Sequence, residues 1–153
     1  MIQEFKFRSR KNLAALLAPL LAAAFVESWK PEEFDFLVPV PLHPKRQRKR
    51  GFNQAVLLGR KLSRLIAVPC CEAALRRVRD TAPQVGLSDS ERLRNMQSAF
   101  QCRDGSVVTG KRLLLIDDVM TTGATLASAA RALVSAGAAK VSALTLARAV
   151  TNL

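Results

Sequence analysis

The chain has 153 residues, 49% of them apolar, which suits one domain with a real core and excludes a disordered segment. Lys and Arg number 24 against 12 Asp and Glu, a formal charge of +12, so an anionic partner is expected: nucleic acid, a phosphorylated metabolite or an acidic membrane surface. Three cysteines and a single histidine, His43, with no C-x-x-C spacing, argue against a zinc site and fit a reducing, cytoplasmic setting.

Lys6, Arg8, Arg10 and Lys11 precede an apolar run from Leu13 to Val26, the outline of a signal peptide. The run is short for a membrane span, and Leu13, Leu16, Leu17, Leu20, Leu21 and Phe25 recur at the spacing of one helical face. It reads as a core-facing helix bent at Pro19, with no membrane insertion. Pro31 stops that helix, and Phe34 to Val40 reads as a strand. HPKRQRKRG, residues 43–51, reads as a charged loop with a stiff entry at Pro39, Pro41 and Pro44. A second helix is predicted from about Asn53 to Ile66, with Ala55, Leu58, Leu62 and Leu65 inward. Val68 to Leu75 is a candidate short strand. Arg76 to Arg103 reads as polar and irregular, with arginines at 76, 77, 79, 92, 94 and 103.

Leu113 to Ile116 has no polar alternation, as expected of a strand buried on both faces. A third helix is predicted from about Gly123 to Ala136, with Leu126, Ala130, Leu133 and Val134 inward and Gly137 at its C′ position. Val141 to Ala147 is the last strand. Strands alternating with helices predict an α/β fold, a central, mostly parallel sheet with helices on both faces, in one domain over residues 1–153.

The chemistry concentrates in LLLIDDVMTTGATL, residues 113–126. In an open parallel sheet, ligands sit beyond the carboxyl ends of the strands, where Asp117 and Asp118 fall. The turn from Thr121 to Thr125 opens a helix, whose first N–H groups and dipole favour phosphate. Gly123 lets the backbone approach closely, and Thr122 and Thr125 add hydroxyls. Carboxylates repel phosphate, but they accept hydrogen bonds from sugar hydroxyls and bind Mg²⁺, directly or through water. A ribose 5-phosphate carrying a magnesium-bound substituent meets both demands. After the first strand, Lys45, Arg46, Arg48, Lys49 and Arg50 form a cationic run suited to pyrophosphate or a nucleic-acid backbone, or simply to solvent.

LLLIDDVMTTGAT closely resembles the phosphoribosyl pyrophosphate (PRPP) motif of type I phosphoribosyltransferases. That resemblance implies that Asp117 and Asp118 contact the ribose hydroxyls. It also implies that Thr121, Thr122, Gly123, Ala124 and Thr125 hold the 5-phosphate. The 6-oxopurine salvage members carry an aspartate where this chain has Thr121, which counts against hypoxanthine or guanine as acceptor. PVPL…R…RGFNQ, RVRDTAPQVGLSDSERLRNMQSAF and KFRSRKNLAALLAPLL resemble successive blocks of the ComF family, phosphoribosyltransferase-like proteins associated with DNA uptake in natural transformation. By that likeness Arg46 and Arg50, with Gly51, Phe52, Asn53 and Gln54, form or support a pyrophosphate loop, and Gln84, Arg92 and Asn95 belong to a mobile loop. The cofactor implied is Mg²⁺, associated with Asp117 and Asp118, and proteins of the DNA-uptake machinery are implied as partners. Many ComF proteins begin with a four-cysteine zinc module that this sequence lacks, so the chain is either a short member or a truncated one.

Three readings stay open at this level. One is a transferase to an unknown acceptor. The second is a non-catalytic protein that senses PRPP or a nucleotide and binds single-stranded DNA. The third is a catalytically idle scaffold for the DNA-uptake machinery. Stacking aromatics usually accompany single-strand binding, and aromatics are only 5% here, which weakens the second.

Overall fold

The computed structural model describes residues 12–80, 86, 88–91, 99–120 and 123–148. Gln84, Arg92, Asn95, Thr121 and Thr122, expected to contribute to the site, therefore lie outside the described residues.

Helix α1, Leu13–Ser28, runs through Pro19 and closes with the Trp29 N–H on the Phe25 carbonyl at 2.8 Å. Its buried row is Leu13, Ala14, Leu17, Ala18, Leu21 and Phe25. Leu16 and Leu20, expected inward, are 67% and 61% exposed. An all-apolar helix offers more than one stripe to the core, and the stripe chosen here carries Ala14 and Ala18, small enough for a close approach. Phe25, Trp29 and Phe34 stack beneath it with ring centroids 5.6–5.9 Å apart.

Strand β1, Phe36–Pro39, is shorter than predicted. Its edge takes only an isolated bridge between Leu37 and Cys70, so the strand expected over 68–75 does not form. Pro69 has no N–H to extend that ladder. The expected loop at 43–51 is instead a helix, α2, Pro44–Arg50. The His43 ring accepts from the Lys45 N–H at 3.2 Å, Pro44 takes the first turn, and Gly51 ends the helix at φ +78°. No residue of α2 is buried, so no apolar period could announce it, although Lys, Arg and Gln are good helix formers.

Helix α3, Gln54–Ile66, buries Ala55, Leu58, Leu62 and Ile66. Leu65, expected inward, is 54% exposed. The segment read as irregular contains a hairpin: β2, Leu75–Arg77, pairs antiparallel with β3, Phe100–Cys102, placing Arg77 opposite Phe100. A short helix α4, Gly105–Val108, follows.

Strand β4, Arg112–Met120, is the centre of the sheet and outlasts the predicted Leu113–Ile116. It pairs in parallel with β1 on one side and with β5, Lys140–Arg148, on the other, giving the order β1-β4-β5. Leu113 through Ile116 are fully buried. Alternate side chains face opposite ways: Leu114 and Ile116 pack with α1 and α3, while Leu113 and Leu115 pack with helix α5, Ala124–Ser135. The expected parallel sheet with helices on both faces is therefore present. Within α5, Leu126 and Leu133 are buried as expected, but Val134 is 55% exposed. Gly137 occupies C′ at φ +104°.

Candidate functional site

The apolar run of β4 ends in Asp117 and Asp118, which are still within the strand. Consecutive strand residues point to opposite faces. Asp118 is 3% exposed and turns to the side of α3, where Gln54 Nε2 donates to its Oδ2 at 3.2 Å. Asp117 is half-buried. Each carboxylate also accepts the next backbone N–H in the strand: Asp118 N to Asp117 Oδ1 and Val119 N to Asp118 Oδ1, both at 2.9 Å.

Both acids line a cavity of about 200 Å³ at the carboxyl end of the sheet. From α2, Arg46 and Arg50 reach the same cavity. They are four residues apart on one helical face and half-buried, while Lys45, Arg48 and Lys49 are exposed. Arg46 Nε donates to Asp80 Oδ1 at 3.2 Å, tying α2 to the chain just after β2. From α5, Thr125 lines the cavity, and Gly123 precedes it at φ +77° as the helix N-cap.

The predicted pyrophosphate segment is divided by the structure. Arg46, Arg50, Asn53 and Gln54 line the cavity, whereas Gly51 serves to end α2 and Phe52 is 4% exposed in the interior. The Asn53 side chain is engaged in building the fold: Oδ1 accepts from Ala55 N at 2.9 Å, and Nδ2 donates to Val40 O at 3.1 Å. It caps α3 and fastens that cap to the end of β1. Gln54 reaches Asp118.

The sequence presents Arg77 only as one of a cluster of arginines, yet it lines this cavity and Arg76 does not. Its guanidinium lies 5.4 Å from the ring centroid of Phe100, its cross-strand partner. Burial, then the neighbouring Arg46, pull its pKa below the ordinary arginine range, while Asp117 and Asp80 act the other way. Nothing in the local sequence separates Arg77 from Arg76. The hairpin register makes the difference.

Among the described residues no group of three or more His, Cys, Asp and Glu converges to cage a metal ion. Two neighbouring carboxylates still suit Mg²⁺, which commonly takes one or two protein carboxylates and draws its other ligands from substrate phosphate and water. Thiol chemistry is not served by Cys70, whose pKa is pushed up to about 12, chiefly by burial. A larger open groove, about 720 Å³ between β3 and α5, includes neither aspartate.

A family model for the phosphoribosyl transferase domain matches residues 53–151. Competence protein F of Haemophilus influenzae is 35% identical over 97% of this chain and 67% of its own length. The chain belongs to the phosphoribosyl transferase domain family, as a ComF-type member. DNA utilization protein YhgH of Escherichia coli K12 is 37% identical over 92% of this chain and 63% of its own length. This ComF-type chain thus spans roughly two thirds of the curated relatives it matches. Among solved structures, glutamine PRPP amidotransferase from B. subtilis superposes with a TM-score of 0.61 at 19% identity, over 94% of this chain and 30% of that one. At that identity the likeness concerns the fold: the parallel sheet with helices on both faces is the type I phosphoribosyltransferase fold. Among the described residues, no helix of this ComF-type chain is long and apolar enough to cross a membrane.

Proposed function

We propose that the cavity binds the ribose phosphate part of PRPP and that the chain acts as a phosphoribosyltransferase-like protein in DNA uptake or utilisation. The observation that carries this is the convergence of Asp117 and Asp118 from β4 with Arg46 and Arg50 from α2 in one cavity, beside the turn at Gly123. The acids accept from ribose hydroxyls. The start of α5, with Thr121, Thr122, Gly123, Ala124 and Thr125, takes the 5-phosphate. Arg46, Arg50 and Arg77 take the anionic group at the ribose anomeric carbon.

Transfer in such a site needs no protein nucleophile. Positioning and charge neutralisation stabilise a ribosyl cation as pyrophosphate departs. Mg²⁺ bound with the substrate would add charge neutralisation on the pyrophosphate oxygens. The protein's own residues orient the sugar and hold the leaving group. We place this activity in the cytoplasm, consistent with three free cysteines.

The test is a calorimetric titration with PRPP, with and without Mg²⁺, followed by an assay for pyrophosphate release against a panel of bases. Binding with release assigns a transferase. Binding without release selects the sensor reading. Failure to bind PRPP or ribose 5-phosphate overturns the proposal.

A second reading adds nucleic acid as partner. It is favoured by Lys45, Arg48 and Lys49 of α2, which are exposed and are not among the residues lining the cavity, and by a relative whose name is DNA utilization protein. Proteins of the uptake machinery are then further candidate partners.

Gly123→Val is expected to weaken ribose 5-phosphate binding. A valine Cβ would lie 3.8 Å from Met120 Sδ, which is ordinary contact, but φ +77° is unfavourable for a β-branched residue. The turn must shift, and its N–H groups shift with it. Competition by ribose 5-phosphate, compared between parent and variant, measures the effect. Equal competition would remove the turn from the binding site.

A further inference from the structure

Gln54 is the first residue of α3 and is only 5% exposed. The sequence likeness grouped it with a pyrophosphate loop. Its side chain lines the cavity and donates to Asp118, sixty-four positions away in sequence. A carboxylate only accepts, so the amide nitrogen must face Asp118 and the amide oxygen must face away. That oxygen is buried and has no hydrogen-bond partner among the described residues. A leucine or methionine of similar size would avoid this cost. The amide is therefore kept for what its nitrogen does: it fixes the orientation of the Asp118 carboxylate at the cavity edge.

We infer that Gln54 is a positioning residue for Asp118, and that the pair selects a ribose bearing both ring hydroxyls over its deoxy forms. This rests on the ribose phosphate reading given above. With Nε2 on Oδ2 and the Val119 N–H on Oδ1, the carboxylate is held from two directions. The plane of the carboxylate is then fixed rather than free to rotate. A site built around a hydroxyl rejects the analogue that lacks it, because the carboxylate is left desolvated without its donor. The 5-phosphate is common to all three sugars tested and is assigned above to the start of α5, so a change in their affinity ratio reads the hydroxyl contacts rather than the phosphate.

The experiment compares ribose 5-phosphate with 2-deoxyribose 5-phosphate and 3-deoxyribose 5-phosphate by titration calorimetry. The proteins are the parent, Gln54→Met, Gln54→Leu, Asp118→Asn and the Gln54→Met/Asp118→Asn double variant. The parent should prefer ribose 5-phosphate over at least one deoxy sugar by roughly tenfold or more. In Gln54→Met that ratio should fall towards one. Gln54→Leu also removes the donor at a similar size, so it should behave the same way and serves if the methionine variant does not fold. In the double variant the ratio should equal that of Asp118→Asn alone, because the two residues act as one unit. Equal weakening of all three sugars, or a parental ratio in both Gln54 variants, would overturn the inference and leave the ribose phosphate reading standing. A parent that binds none of the sugars would overturn that reading, and this inference with it.

Discussion

Replacing Asp117 and Asp118 together by asparagine is expected to abolish measurable PRPP binding while the fold survives. The fold should survive because the local hydrogen bonds survive. An asparagine oxygen still accepts the next N–H, as Asp117 Oδ1 and Asp118 Oδ1 do now. The Gln54 amide can turn over to present its oxygen to an asparagine nitrogen at 118. What is lost is charge. Each hydrogen bond from a ribose hydroxyl to a carboxylate contributes about 1.5–3 kcal/mol. Two such losses come to about 3–6 kcal/mol, or about two to four powers of ten in affinity. Titration calorimetry gives the affinity, and circular dichroism with a thermal melt checks the fold. A folded double variant that binds PRPP as tightly as the parent would remove the acids from the site.

Arg46→Ala combined with Arg50→Ala is expected to weaken PRPP binding far more than ribose 5-phosphate binding. The two guanidinium groups share one face of α2 and line the cavity from an element separate from the helix that Gly123 opens. With the 5-phosphate at the start of α5, they are left for the pyrophosphate. Each direct contact is worth about 1.5–3 kcal/mol. Arg46 already donates to Asp80, so its net contribution falls towards the lower value, because binding must share or break that pair. Lys45, Arg48 and Lys49 provide the contrast. They face solvent, and replacing them by alanine should leave PRPP binding largely intact. If α2 also meets nucleic acid, the outward variant should flatten the salt dependence of single-stranded oligonucleotide binding, because fewer counterions are released. Titrations of both variants with PRPP, ribose 5-phosphate and an oligonucleotide at several salt concentrations separate the two faces. Unchanged affinities and slopes throughout would make α2 a solvated surface only.

The split of α2 into two faces shows how a charge run can carry more information in three dimensions than in one. Five basic residues in six positions announce attraction to anions, without saying which of them reach a ligand. Only after the run coils into a helix capped by His43 and Gly51 do Arg46 and Arg50 part from Lys45, Arg48 and Lys49.

Features set by near neighbours in the chain were legible in the sequence alone. The unbroken apolar run of β4 specifies a strand buried on both faces, and the acids that follow must emerge at its carboxyl end. The apolar period of α3 and α5, and Gly137 at a C′ position, are local in the same sense. The tertiary structure decided what depends on distant partners. Leu16, Leu20, Leu65 and Val134 fit an apolar period but ended outside, because the neighbouring elements cover only part of each helix. The hairpin pairing Arg77 with Phe100 joins residues 23 positions apart, and only that pairing brings Arg77 over the ring and into the cavity. Gln54 is grouped with the basic loop by sequence likeness, but its contact with Asp118 exists only once folding sets α3 beside β4. Local periodicity records which face a segment would like to bury. It carries no term for a contact closed across a long loop, and in this protein contacts of that kind complete the candidate site.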